Sequence, residues 1–230
     1  MWSILRPHHL LVLRSRALTA SADNLQQTTP TRVVVLASGA GTLLKSLIEA
    51  SRTDGYPAQI VAVGVDRDCA ATEHGEAAGI PAFKVSIKNY EDRADWDKAL
   101  TAAVAAHRPD LVVSAGFMKI LGPGFLAEFG GRIINTHPAL LPAFPGAHAV
   151  PDAMAYGVKV TGSTVHLVDG GVDTGPILAQ EPVAVLPGDT ESTLHERIKV
   201  VERRLLADVI AAVATHGVVS DGRKAVIPSE

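Results

Sequence analysis

Asn135 and His137 stand two residues apart in Asn135-Thr136-His137-Pro138, directly after Ile133-Ile134. Residues two apart on an extended chain project to the same side, so the spacing predicts an amide and an imidazole presented together. Pro138 ends the strand ladder there. Leu140-Leu141-Pro142-Ala143-Phe144-Pro145-Gly146 follows, a proline-stiffened loop with few polar groups. A histidine at a strand end is often only a hydrogen-bonded one; the paired asparagine, the rigid loop and the open strand end favour function. Further on, Asp169-Gly170-Gly171-Val172-Asp173-Thr174-Gly175-Pro176 places two acids in a glycine-rich turn. Calcium would want several more carboxylates at regular spacing. A plain hairpin turn and a fixed functional carboxylate at Asp173 stay equally open.

A third constellation, Ser38-Gly39-Ala40-Gly41-Thr42, follows a β-branched run and opens a helix-like segment. Glycines let backbone N–H groups approach a phosphate, and a helix start adds positive potential. A dinucleotide fingerprint would need a third glycine where Leu44 stands, and the Gly-Lys-Ser/Thr of a P-loop is absent. The loop suits a single phosphate, with a ligand-free tight turn as the alternative. Asn135, His137 and Asp173, with neither Ser nor Cys at a nucleophile elbow, suggest group transfer without a covalent enzyme intermediate. The amide and a protonated imidazole can both donate to an oxyanion. Asp173 can pair with that imidazole and receive protons, directly or through water; such acid–base help contributes about 10² to 10⁴ in rate. This chemistry requires no metal.

The elements must gather these residues. Val33 to Ala37, Ile60 to Val65, Pro81 to Val85, Leu111 to Ala115 and Arg132 to Asn135 read as buried strands. Helical patterns separate the strands of the first half: Leu43 to Ile48, Cys69 to Ala78, and one through Trp96, Leu100 and Val104. Strands alternating with helices predict a parallel, doubly wound sheet with ligands at its carboxyl ends. Lys159 to Val168 and Ile177 to Val185 have no helix between them and predict mixed or antiparallel pairing. A long helix is expected from an Asp189 N-cap, with Leu194, Ile198, Val201 and Leu205 on one face. The fold class is α/β, an open, mostly parallel sheet in one domain.

The 230 residues are 47% hydrophobic and 20% charged, an ordinary globular balance with room for a substantial core. A net charge of −3 gives no general attraction to nucleic acid or anionic membrane, so a phosphate site must be built locally. Apolar runs are strand-sized, short of the roughly 20 residues a membrane helix requires. Cys69 is the only cysteine, which excludes an internal disulfide and a cysteine zinc cluster and fits a reducing compartment. Residues 1–30 are basic and acid-poor before Asp23. They read as a poorly ordered N-terminal extension rather than a transit peptide, leaving 31–230 as the catalytic domain.

Taken with Val34-Val35-Leu36-Ala37 before the glycine loop and with Ser114-Ala115-Gly116-Phe117-Met118-Lys119-Ile120-Leu121, the three motifs run in an order that resembles the phosphoribosylglycinamide formyltransferases. The likeness covers about residues 31–215, and the Asn-x-His-Pro-x-Leu-Leu-Pro motif alone marks only the wider formyltransferase group. The resemblance implies a Rossmann-like fold in a cytoplasmic enzyme, monomer or homodimer, of purine synthesis. It implies formyl transfer from 10-formyltetrahydrofolate to the amine of glycinamide ribonucleotide, with no metal and no nucleic-acid or membrane partner. Asn135, His137 and Asp173 would be catalytic. Gly41, Thr42 and Leu43 would hold the phosphate, Leu43 through its backbone alone, since the family often has Asn there. Glu202 and Lys199 would contact the ribonucleotide, although both read equally as surface charges on the last helix. Arg93 would lie near the folate, its alternative being a solvated helix-start charge. Met118, Lys119, Ile120 and Leu121, with Asn135, would line the folate slot; Lys119 stands for the more usual Arg, and Ile120 and Leu121 read almost as well as core.

Three rivals are weighed against this. A formyltetrahydrofolate hydrolase shares the Asn/His/Asp set but generally carries an N-terminal regulatory domain, for which thirty residues are too few. A methionyl-tRNA formyltransferase would add a C-terminal domain and a basic surface. A non-catalytic nucleotide-binding module leaves the Asn135, His137 and Asp173 convergence unexplained.

Overall fold

The computed structural model describes residues 11–13 and 29–229. The expectation for residues 1–30 therefore lies outside the described residues, save Thr29, Pro30 and Leu11–Leu13, the short strand β1. The central sheet has seven strands. They are β2 (Thr31–Ala37), β3 (Ala58–Val65), β4 (Ala82–Lys84), β5 (Leu111–Ser114), β6 (Ile133–His137), β7 (Val160–Leu167) and β8 (Ile177–Ala184), in spatial order β4-β3-β2-β5-β6-β7-β8. The first five positions in that order are parallel, while β7 pairs antiparallel with both β6 and β8; the missing helix between β7 and β8 predicts the second of these pairings.

The chain runs outward from β2 to β3 and β4, then returns to place β5 on the other side of β2. That reversal opens a crevice beyond the carboxyl ends of β2 and β5, where ligands of such sheets bind. The alternation along β2 feeds both layers. Val33, Val35 and Ala37 pack with α1 (Thr42–Ser51), α2 (Ala70–Ala77) and α6 (Glu191–His216). Val34 and Leu36 pack with Trp96 and Leu100 of α3 (Arg93–Ala105) and with Phe125 and Phe129 of α4 (Pro123–Phe129).

Some elements differ from the sequence expectation. Helices α4 and α5 (Ala149–Tyr156) are too short to show a helical period, and each carries a proline. Tertiary contacts secure α4: Asp97 of α3 accepts the N–H groups of Gly124 at 2.7 Å and Phe125 at 3.3 Å, capping its start from another helix. The N-cap of α6 is Thr190 rather than Asp189; a capping box with Thr193 sets the start. Asp189 instead binds the guanidinium of Arg197 and the N–H of Leu186. The fifth strand of the sequence reading extends through His137, because β7 pairs with it as far as Thr164. Beyond α6, β9 (Val218–Ser220) joins β1 and β10 (Ala225–Val226) in a small antiparallel sheet.

Candidate active site

Three neighbouring strands deliver the three site segments side by side. The glycine loop follows β2, residues 115–121 follow β5, and Asn135-Thr136-His137 closes β6. Adjacent strands lie about 4.8 Å apart, so the segments form one continuous rim. Gly41 is the N-cap of α1 at φ +67°, and a Cβ there would come within 2.8 Å of the Ala71 Cα. Both the left-handed backbone and the close approach of α2 therefore require glycine. No side chain caps α1, so its first-turn N–H groups, including those of Thr42 and Leu43, remain available to an anion. The Leu43 side chain packs against the core, leaving its backbone as the polar part.

Asn135 and His137 share one side of β6, and the turn after β7 brings Asp173 to them. The carboxylate Oδ2 lies 3.3 Å from His137 Nδ1. His137 Nε2 lies 2.7 Å from the carbonyl oxygen of Phe144 in the proline-stiffened loop. Both ring nitrogens thus face oxygen acceptors. Asp173 occupies the left-handed region at φ +53°, tolerable for Asp, and accepts the Gly146 N–H at 2.8 Å. The segment thus locks the loop as well as the histidine; a Cβ on Gly175 would meet the Leu167 carbonyl at 1.8 Å, so the close approach of the turn to the end of β7 requires glycine there.

Sequence reasoning missed His166. It pairs in register with Asn135 across β6 and β7, a relation invisible until the strands are paired. Its Nδ1–H donates to the Leu167 carbonyl at 2.9 Å, leaving Nε2 to accept from the Asn135 amide at 3.2 Å. Asp173 Oδ1 lies 3.7 Å from the same Nε2. Burial holds the His166 imidazole below its ordinary pKa, outweighing the nearby carbonyl and Asp173. A depressed histidine destabilises the fold on acidification: stability is intact above the ordinary value and falls as the unfolded chain alone takes up a proton. The melting temperature should drop as pH falls from about 7.5 to about 5.5, and less so in His166→Gln. Equal declines in both proteins would assign the effect elsewhere.

Thr136 points the other way. Its hydroxyl donates to the carboxylate of Glu202, which is only 6% exposed, so Glu202 is not the surface charge its helix pattern permits. Burial raises its pKa, only partly offset by Thr136 and by the nearby His137 and Lys199. Lys199 lies one turn earlier, half-buried, with its ammonium 2.7 Å from Glu196. A raised carboxyl supplies stability at low pH that is lost as pH rises through the folded value. Glu202→Gln should therefore raise the melting temperature at pH 8 by a few degrees, on the order of 1 kcal/mol, and by less at pH 5. A lower melting temperature at pH 8 would refute the buried-charge account.

On the other flank, Arg93 opens α3, and its guanidinium donates to the Ile120 carbonyl and lies 5.4 Å from the Trp96 ring centroid. Met118 and Ile120 are 64% and 62% exposed, apolar side chains left facing solvent at the crevice, whereas Leu121 is buried in the core. Ile120 therefore does not read as core, and Leu121 does. The Lys119 ammonium lies 3.6 Å from Asp66, a second residue that the sequence reading passed over.

A rim with an uncapped helix start, two amide and imidazole donors, a carboxylate and an exposed apolar flank is equipped to move an acyl-type group between two small molecules. The family model described as formyl transferase matches residues 31–210, and the chain belongs to that family. Within it, the chain groups with the phosphoribosylglycinamide formyltransferases. The one from Mycobacterium tuberculosis is 66% identical over 196 residues, covering 85% of this chain and 91% of the relative. That of Bacillus subtilis is 38% identical over 180 residues, 78% of this chain and 92% of the relative. Among solved structures, glycinamide ribonucleotide transformylase 1 of Symbiobacterium toebii superposes with a TM-score of 0.85 at 39% identity, covering 90% of this chain and 98% of that one.

Proposed function

We propose that the chain transfers the formyl group of 10-formyltetrahydrofolate to the amine of N1-(5-phospho-D-ribosyl)glycinamide, giving the N2-formyl product and tetrahydrofolate in purine biosynthesis. The observation that carries this reading is the convergence of Asn135, His137 and Asp173 beside the uncapped start of α1. Gly41, Thr42 and Leu43 take the phosphate through backbone N–H groups, and Glu202 accepts from ribose hydroxyls with Lys199 beside it. Met118, Lys119, Ile120 and Leu121, with Arg93 and Asn135, hold the folate, the exposed apolar pair covering its ring system. The substrate amine attacks the formyl carbon, and its oxygen becomes an oxyanion that accepts from the Asn135 amide and a His137 N–H. The Phe144 carbonyl occupies the Nε2 direction, so the 139–146 loop yields that donor as substrate enters. Asp173 receives the amine proton through water, and that proton passes on to the folate N10 as the bond between N10 and the formyl carbon breaks.

The reading carries with it a cytoplasmic enzyme, monomer or homodimer, acting on two small molecules and on neither nucleic acid nor membrane. Among the described residues no helix is long and apolar enough to cross a membrane. The test mixes the protein with 10-formyltetrahydrofolate and follows folate absorbance with and without the ribonucleotide. Conversion only when the ribonucleotide is present is the expected result. Conversion in both cases would make the protein a hydrolase, and binding without turnover would remove catalysis altogether.

A further inference from the structure

Asp66 is the first residue after β3, at the carboxyl edge of the sheet, and only 1% of its side chain is exposed. Nothing in the reaction above uses it, yet a buried carboxylate needs partners to repay its lost hydration. It has three, its chain neighbour Arg67 and one from each substrate segment. Arg67 forks onto it, with Nη2 at 2.8 Å and Nε at 3.2 Å from Oδ2. The Ser38 hydroxyl of the glycine loop is a polar neighbour that favours its ionised form. The Lys119 ammonium of the folate-side segment lies 3.6 Å away. Ser38 carries the connection further: its Oγ accepts the Met118 N–H at 2.8 Å, and its own N–H donates to the Gly116 carbonyl at 3.2 Å. Because its oxygen accepts from Met118, the Ser38 hydroxyl keeps its own proton free to turn toward Asp66. Burial pushes the Asp66 carboxyl up, but Arg67, Ser38 and Lys119 together outweigh it and hold the group below the usual carboxylate range, so the joint is ionic at neutral pH.

We propose that Asp66 is a positioning residue that ties the phosphate-side loop at Ser38 to the folate-side segment at Met118 and Lys119, setting the span between the two substrates. Its charge anchors the Lys119 ammonium, whose side chain is 26% exposed and would otherwise sample solvent. Its acceptor oxygens orient Ser38 and, through it, the Met118 backbone. The two roles are separable, because Asn at this position keeps an acceptor for Ser38 and loses the charge that holds Lys119. The inference rests on the assignment of these segments to the two substrates.

Asp66→Asn should raise the folate KM about tenfold, with kcat and the ribonucleotide KM within about threefold of the parent. Asp66→Ala and Ser38→Ala should raise both KM values, because each also frees the Met118 backbone. In a double-mutant cycle, Lys119→Met should raise the folate KM by a similar factor, and the pair Asp66→Asn with Lys119→Met should be no worse than the poorer single variant. Arg67 and Lys119 both reach solvent, so the Asn variant leaves no buried unpaired cation, and a melting curve of each variant confirms folding. Unchanged folate KM in a folded Asp66→Asn, multiplicative effects in the cycle, or a uniform loss of kcat and both KM values with a fallen melting temperature would each overturn the positioning role. Failure of the unmodified protein to transfer formyl would instead overturn the substrate assignment, which its own turnover measures first.

Discussion

His137→Asn should lower kcat by about 10² to 10³ while both KM values stay within about threefold. The imidazole is 4% exposed and held from both sides, by Asp173 at Nδ1 and by the Phe144 carbonyl at Nε2. Asp173 keeps such a ring oriented when the 139–146 loop frees Nε2, and an N–H then aimed at developing charge is worth far more in the transition state than in substrate binding. The Asn amide is shorter by about a bond, so it neither reaches the same point nor spans from Asp173 to the Phe144 carbonyl. The Asn135 amide remains, which is why residual turnover is expected. Steady-state kinetics with each substrate varied in turn checks this. A kcat within threefold of the parent, in a protein whose melting temperature is preserved, would take His137 out of the chemistry.

Asp173→Asn should cost a comparable factor, about 10² or more in kcat, with the fold left nearly intact. Asn tolerates the left-handed backbone at φ +53° and can still accept the Gly146 N–H, so the loop keeps its tether. What disappears is the negative charge 3.3 Å from His137 and the capacity to take the amine proton. The amide also offers the imidazole an N–H where a carboxylate stood. Loop order and proton transfer are thereby separated: Asp173→Ala, which loses the Gly146 tether as well, should raise both KM values in addition to lowering kcat. Identical kinetics for the Asn and Ala variants would mean that the charge, lost in both, and not the Gly146 tether is what the site uses.

The parallel half of the fold was legible because its strands are buried on both faces and read as unbroken apolar runs. Val33 to Ala37 and Leu111 to Ala115 could hardly be anything else. Helices α4 and α5 were not legible, since seven and eight residues with a proline give no period, and α4 takes its cap from Asp97 across the layer. The Thr190 cap was missed for a local reason: Asp189 next to it is as good a capping residue, and only the position of Thr193 decides between them. At the site, the Asn135 and His137 pair could be inferred from strand period alone. His166 and Asp66 could not, because each acquires its meaning from a neighbour far along the chain, Asn135 at a separation of 31 residues and Lys119 on another loop. Glu202 shows the opposite limit. Spaced four residues after Ile198 and three before Leu205, it falls on the buried face of its helix, but its charge reads as a solvated one until Thr136 supplies the partner.

Three consecutive residues of β6 serve both sides of the sheet: Asn135 and His137 turn to Asp173 and His166, and Thr136 turns to Glu202. The side-chain period of a strand is two, so a shift of one residue exchanges the sides completely. Isolated substitutions here would each remove one group. A single-residue insertion anywhere from Gly131 to Ile134 would instead carry Thr136 into the place of His137 and Asn135 to the buried acid, and a deletion would carry Thr136 into the place of Asn135 and His137 to the acid, either one erasing both arrangements in one event. Homologous chains can therefore drift in composition along this segment, but their length between the α4 end and the Pro138 turn should be invariant.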